Sequence, residues 1–179
     1  MHSSSPLVTG KGAQRALGAM LILATVCALR AGTKTRPRKE SIVQANGLEL
    51  TFALTRSRIK NIEEFEARAT FTNKSDHAIR LNALFLDVPP LLLDVRTVAG
   101  EQVFASPPPF PPEDDGEVGR VNLLPGQSSS YVYPGILYFS RPLSPGMYQV
   151  RFRYENTVAQ GKDWLGKLVS DWLNFEVYR

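Results

Sequence analysis

The sequence has few of the residues that build most metal sites and many active sites. Its 179 residues include two histidines, His2 and His77, and one cysteine, Cys27. A structural zinc site of the usual kind needs four Cys or His ligands, so none can be assembled. A single cysteine also excludes an intramolecular disulfide. The folded part is therefore expected to depend for its stability on buried apolar side chains.

Motifs for nucleophilic catalysis and phosphate binding are also missing. The chain contains no G-x-S-x-G, no G-x-x-x-x-G-K-[ST] and no G-x-G-x-x-G. His77 ends a turn-like stretch, residues 73–77, where we expect a solvated ring rather than a general base. We predict no catalytic residue and no cofactor, and expect that the protein is not an enzyme. A carboxylate-dependent hydrolase is the alternative, and it would need two acids facing each other across a cleft.

Basic residues are concentrated at the N-terminal end. Residues 1–40 hold seven Lys/Arg and one acid, Glu40, whereas residues 41–179 hold fourteen Lys/Arg and sixteen Asp/Glu. Proteins that bind duplex nucleic acid usually spread basic residues over a folded face. The slightly acidic body therefore predicts no nucleic-acid partner, and the run Lys34–Lys39 is interpreted as a solvated basic segment.

The longest apolar run, Ala16–Leu29, follows two basic residues, Lys11 and Arg15. Fourteen helical residues span about 21 Å, which is short of the roughly 30 Å hydrocarbon core of a bilayer. This pattern is typical of a secretory signal peptide. We expect residues 1–28 to be the signal peptide and residues 29–41 a basic linker, with cleavage after Ala28 or, alternatively, after Ala31. The protein is predicted to be secreted or periplasmic.

Cys27 leaves two other interpretations of the leader open. A bacterial lipoprotein signal places a small residue before the lipidated cysteine and usually a leucine three positions before it. Here those positions hold Val26 and Ala24, so lipidation at Cys27 is disfavoured. An uncleaved leader would be a membrane anchor. Contact with a membrane is expected only through an uncleaved or lipidated leader.

From residue 46 onward, apolar and polar residues alternate with a period of two. This period predicts antiparallel strands with one face in a core and the other in water. The alternating positions are Leu48–Leu54, Phe65–Phe71, Ile79–Leu81, Leu91–Val95, Tyr148–Tyr154 and Leu173–Val177.

Turn sequences separate these runs, among them Asn46-Gly47, Pro125-Gly126 and Pro145-Gly146. Short strands at such spacing predict an all-β protein, an antiparallel β-sandwich over residues 42–179. Four aromatic residues are the predicted centre of its core: Phe52, Phe71, Phe152 and Phe175.

Two segments depart from the alternation. Residues 105–119 contain five prolines and four acids, which predicts an exposed loop or polyproline stretch. Its acids lack the spacing of a calcium loop, so no metal site is predicted. In residues 162–172, Trp164, Leu168 and Trp172 are spaced as on a helix face, and we expect an irregular or short helical lead-in to the last strand.

Four features mark the order of the turns: Asn46-Gly47-Leu48, a strand ending at Thr72-Asn73, Leu124-Pro-Gly-Gln127 before Tyr131, and Pro145-Gly146-Met-Tyr148-Gln-Val150. This order resembles that of bacterial exported immunoglobulin-like domains. The resemblance covers about residues 42–178 and extends loosely to the intracellular proteinase inhibitor group. It implies an immunoglobulin-like sandwich without enzyme activity, and for the inhibitor group it implies protease binding.

Three aromatic residues are candidate binding residues. Phe110 lies in the stiff proline-rich segment, and Trp164 and Trp172 could stack on a ligand or close the core. Arg151 and Arg153 are expected on a solvent face, paired with Glu64, Glu66 or other cross-strand acids. The leading hypothesis is an exported, non-catalytic binding or accessory module of the bacterial cell envelope with a protein partner. A protease inhibitor of immunoglobulin-like fold is the alternative from another class.

Overall fold

The computed structural model describes residues 39–82, 93–105, 119–139, 142–157 and 162–179. Strands hold 60% of them and almost all pair antiparallel, which confirms the all-β prediction at this level. The predicted signal peptide, Cys27, most of the basic linker and Phe110 lie outside the described residues. Within the described ranges, no helix has the length and apolar character needed to cross a membrane.

Twelve strands are present in the described part of the chain. They are β1 (Glu40–Ala45), β2 (Leu48–Leu54), β3 (Arg58–Ile59), β4 (Glu66–Asn73), β5 (Ile79–Asn82), β6 (Leu93–Thr97), β7 (Gln102–Ala105), β8 (Arg120–Leu123), β9 (Ser128–Pro134), β10 (Gly146–Asn156), β11 (Gly166–Val169) and β12 (Leu173–Val177). Two short 3-10 helices lie at Ile62–Glu64 and Gly135–Leu137.

The strands form two principal sheets and one small one. The first sheet has the order β1-β2-β4-β9. The second has the order β3-β12-β10-β6-β7, with β11 also paired to β10, and β5 pairs with β8 separately. All pairs are antiparallel except that of β3 with β12.

Alternation along the strands places the core between the two principal sheets. In β2, Leu48, Leu50 and Phe52 are fully buried while the residues between them are partly exposed. In β10 the same alternation continues from Tyr148 to Asn156. Rings from the two sheets meet directly, because the centroids of Phe52 and Phe152 are 5.6 Å apart. All four predicted core aromatics are at most 1% exposed.

The prediction of an irregular or short helical segment over residues 162–172 is wrong for residues 166–169, whereas residues 162–165 and 170–172 lie outside the strands and helices. Residues 166–169 form β11, which pairs with Arg153–Asn156 of β10. The helix-like spacing arose because Trp164 and Leu168 are both buried, and Trp164 stacks on Tyr154 at 5.7 Å between centroids. Gly166 lets the chain pass this ring, since a Cβ there would lie 2.6 Å from the Trp164 side chain.

A buried ionic cluster joins the small β5-β8 sheet to the segment before β11. The Asp163 carboxylate is fully buried and accepts hydrogen bonds from Arg80 Nε at 2.6 Å and Arg120 Nε at 3.0 Å. The Arg120 side chain is only 2% exposed. Charges held this far from water require close, well-aligned partners, so the cluster fixes the position of this segment.

We expect Tyr138→Phe to leave stability unchanged or to raise it by up to about 1 kcal/mol. The Tyr138 ring packs edge-on against Tyr133 at 5.8 Å, and phenylalanine keeps that contact. Its hydroxyl is buried without a hydrogen-bond partner in the described structure, and burial raises the pKa of Tyr138. Urea unfolding measures the change.

Tyr154→Phe is the matched control for this prediction. The Tyr154 hydroxyl donates a hydrogen bond to the Asn82 carbonyl oxygen at 3.3 Å, so its removal is expected to lower the free energy of unfolding by roughly 0.5–1.5 kcal/mol. An equal loss in both variants would show that the Tyr138 hydroxyl also has a stabilising partner.

Candidate binding site

One side of the site is formed by a β-hairpin whose two strands pair with an irregular register. Strands β6 and β7 are joined by a turn in which Gly100 has φ 91° and donates its N–H to the Thr97 carbonyl oxygen at 2.9 Å. The pairing shifts between Val95 and Arg96. Such bulges bend a strand and change the direction of the next side chain, and here the next side chain is Arg96.

Cross-strand register brings polar side chains together on the outer face of the second sheet. Arg96 of β6 lies opposite Gln149 of β10, and Gln149 lies opposite Asn174 of β12. Arg96 Nε donates to Gln149 Oε1 at 2.9 Å, and Gln149 Nε2 donates to Asn174 Oδ1 at 2.9 Å. This chain of hydrogen bonds crosses three strands and holds the Arg96 guanidinium in one orientation.

Two guanidinium groups lie against one indole ring. The Arg96 Cζ atom is 3.9 Å from the centroid of the Trp172 ring, and the Arg151 Cζ atom is 4.6 Å from it. The face of an indole attracts cations, at about 0.5–1 kcal/mol for an exposed pair. Trp172 therefore brings two positive charges close together on a partly exposed surface.

One buried carboxylate neutralises part of this charge. Asp94 Oδ2 accepts a hydrogen bond from Arg151 Nε at 2.8 Å and lies 2.9 Å from Arg153 Nε. The expected cross-strand pairing of Arg151 and Arg153 is thus present, but the acid is Asp94 and not Glu64 or Glu66. Sequence alternation gave no means to select Asp94 among the outward-facing acids.

These side chains surround an open pocket of about 200 Å³. The described residues of its lining include two arginines and one carboxylate, a formal charge of +1: Asp94, Arg96, Gly100, Gln102, Arg151 and Trp172. In the described ranges, no carboxylate lies within ion-pairing distance of Arg96, whose one hydrogen-bond partner there is the neutral Gln149. The pocket is therefore suited to an anionic group beside an aromatic ring.

No protein-family model and no curated protein matches this chain significantly. The chemistry of the pocket itself is what indicates a function.

The other sequence candidates lie elsewhere. Trp164 is 6% exposed, and its indole N–H donates to the Asn46 carbonyl oxygen at 3.1 Å, so it closes the core instead of facing the pocket. His77 is exposed beside Asp76, and its ring lowers the pKa of that carboxyl through a hydrogen bond at 2.9 Å. Phe110 is outside the described residues.

No group of three or more His, Cys, Asp or Glu side chains that could hold a metal ion occurs in the part of the chain that the structure describes. Of the lining residues that the structure describes, one is a carboxylate, Asp94, and it pairs with both Arg151 and Arg153. The pocket therefore offers ionic and aromatic contacts to a ligand.

Sequence reasoning selected Trp172 and missed Arg96. The alternation of β6 does indicate on which face Arg96 lies. Leu93 and Val95 point inward, so Asp94 and Arg96 must lie on the opposite face. The pairing of β6 with β10, over fifty residues later in the chain, was needed to bring Arg96 to Trp172.

Proposed function

We propose that this protein is an exported, non-catalytic binding module of a bacterial cell envelope. In this proposal, residues 42–179 form an immunoglobulin-like sandwich, and a signal peptide directs the chain to the periplasm or cell exterior. The module binds a protein partner through the outer face of the second sheet. The observation that carries the proposal is the Arg96–Trp172–Arg151 cluster, which is open to solvent on a sheet fixed by the core behind it.

The composition of the cluster supports protein binding. Tryptophan and arginine dominate the residues that contribute most to protein–protein affinity, because one side chain offers apolar area together with hydrogen-bond donors. Both arginines already stack on Trp172. A group that is ordered before binding loses less conformational entropy when a partner docks.

The carboxylate arrangement supports a non-catalytic role. A general base must be able to accept a proton from a substrate. The Asp94 carboxylate instead accepts a hydrogen bond from Arg151 and forms an ion pair with Arg153. A glycosidase-type pair would need a second acid across the pocket, and among the described residues Asp94 is the one acid in the lining. No contact of the described residues specifically favours protease inhibition.

Site-specific photo-crosslinking tests the proposal. A benzophenone amino acid replaces Gln102, an exposed residue at the pocket, in one variant and Ser130, an exposed residue on the outer face of the first sheet, in another. After irradiation of cells that produce each variant, we expect a defined envelope protein to be linked to position 102 and not to position 130. Linkage of the same protein at both positions, or none at position 102, would contradict the proposal.

A further inference from the structure

We infer that the pocket binds a carboxylate group of an acidic peptide segment, with Arg96 as the principal anion-binding residue. The inference rests on the proposed function, because it specifies the chemistry of the partner at the same site.

The hydrogen-bond donors of Arg96 are largely unused. An arginine has five N–H donors in a planar fork, and Arg96 commits Nε alone, to Gln149. Its Nη groups make no hydrogen bond to the described residues. Arg151 likewise uses Nε, toward Asp94. Arg96 therefore keeps both Nη groups available to a ligand, and Arg151 lies beside the same indole ring.

The charge balance favours a carboxylate over a phosphoryl group. The described lining residues carry a formal charge of +1, and Arg153 also pairs with Asp94 beside them. A phosphoryl dianion would be repelled by the nearby Asp94 carboxylate more strongly than a singly charged carboxylate would. A guanidinium fork also matches the two oxygens of a carboxylate with parallel hydrogen bonds.

The indole favours a peptide as the bearer of that carboxylate. Trp172 is partly exposed beside the guanidiniums, so it offers apolar area to the methylene groups and backbone next to an Asp or Glu side chain. A small free acid such as acetate would contact the arginines and leave this area unused. Affinity for a peptide should therefore exceed affinity for acetate.

Titration calorimetry at low ionic strength tests the inference with a tetraglutamate peptide blocked at both ends. The protein used is the form that the host cells produce from the full-length sequence, without engineered truncation. We expect binding that is lost with the equivalent tetraglutamine peptide and that weakens steeply on addition of salt. Arg96→Gln should weaken binding at least tenfold, because the variant removes the charge while its partner Gln149 is neutral.

Arg58→Gln is the matched control. Arg58 belongs to the same sheet and lies over an aromatic ring, Tyr178, at 4.8 Å, but Glu176 neutralises it at 2.8 Å. We expect its replacement to change the affinity less than twofold. Equal weakening in both variants would show non-specific attraction to surface charge and would overturn the inference.

Competition with acetate and with inorganic phosphate identifies the ligand chemistry. Displacement of the peptide by phosphate at lower concentration than acetate would overturn the choice of a carboxylate. Absence of peptide binding, together with a crosslinked partner at position 102, would overturn this inference and leave the proposed function standing. Absence of both would overturn the two together.

Discussion

Asp163→Ala is expected to lower the free energy of unfolding by about 3–5 kcal/mol, the usual cost of removing one partner from a buried ion pair. The Asp163 carboxylate has no exposed surface and binds both Arg80 and Arg120. Its removal leaves two like charges close together at a buried position without the anion that they share. Urea unfolding followed by circular dichroism measures the loss.

Asp76→Ala is the control for this variant. The Asp76 side chain is 99% exposed, so its removal is expected to change the free energy of unfolding by less than about 0.5 kcal/mol. A similarly small effect of Asp163→Ala would show that Asp163 lies in water and that the segment before β11 is not held by this cluster.

Phe152→Ala is expected to cost about 3–5 kcal/mol of stability. Phe152 is fully buried on β10 and contacts aromatic rings of the opposite sheet. Its ring centroid lies 5.6 Å from that of Phe52, 6.1 Å from that of Phe71 and 5.4 Å from that of Tyr133. Truncation leaves a cavity between the sheets that these rings can fill only in part.

The control for Phe152→Ala is Ile136→Ala, which removes an apolar side chain that is 60% exposed. We expect a change of no more than about 0.5 kcal/mol. Thermal unfolding of the two variants should differ by many degrees in midpoint. If Phe152→Ala unfolded with the midpoint of the control, the two sheets would not share one core.

The strands with strict alternation could be predicted from the sequence because one buried face imposes a period of two. Leu48 to Leu54 and Tyr148 to Tyr154 are the clearest cases. The short β11 could not be predicted in this way. Its place in the sheet depends on pairing with β10, which the local sequence pattern does not encode.

Of the residues at the candidate site, only Trp172 could be selected from the sequence as a candidate binding residue. Trp172 is one of two tryptophans and attracts attention by residue type, whereas Arg96 and Asp94 are ordinary outward residues of a strand. Their position beside Trp172 and Arg151 depends on the register of β6 with β10, which is set by long-range pairing. The Asp163 cluster was missed for the same reason, since Arg80 and Asp163 are 83 residues apart.

The indole N–H resonances of the two tryptophans give the most direct test of the central claim, that the Arg96–Trp172–Arg151 face binds an acidic ligand. Trp164 is buried and bonded to Asn46, so its signal serves as an internal reference in the same spectrum. On titration with the tetraglutamate peptide, we expect the Trp172 signal, assigned with Trp172→Phe, to shift progressively to saturation while that of Trp164 stays fixed. A stationary Trp172 signal, or equal movement of both, would contradict it.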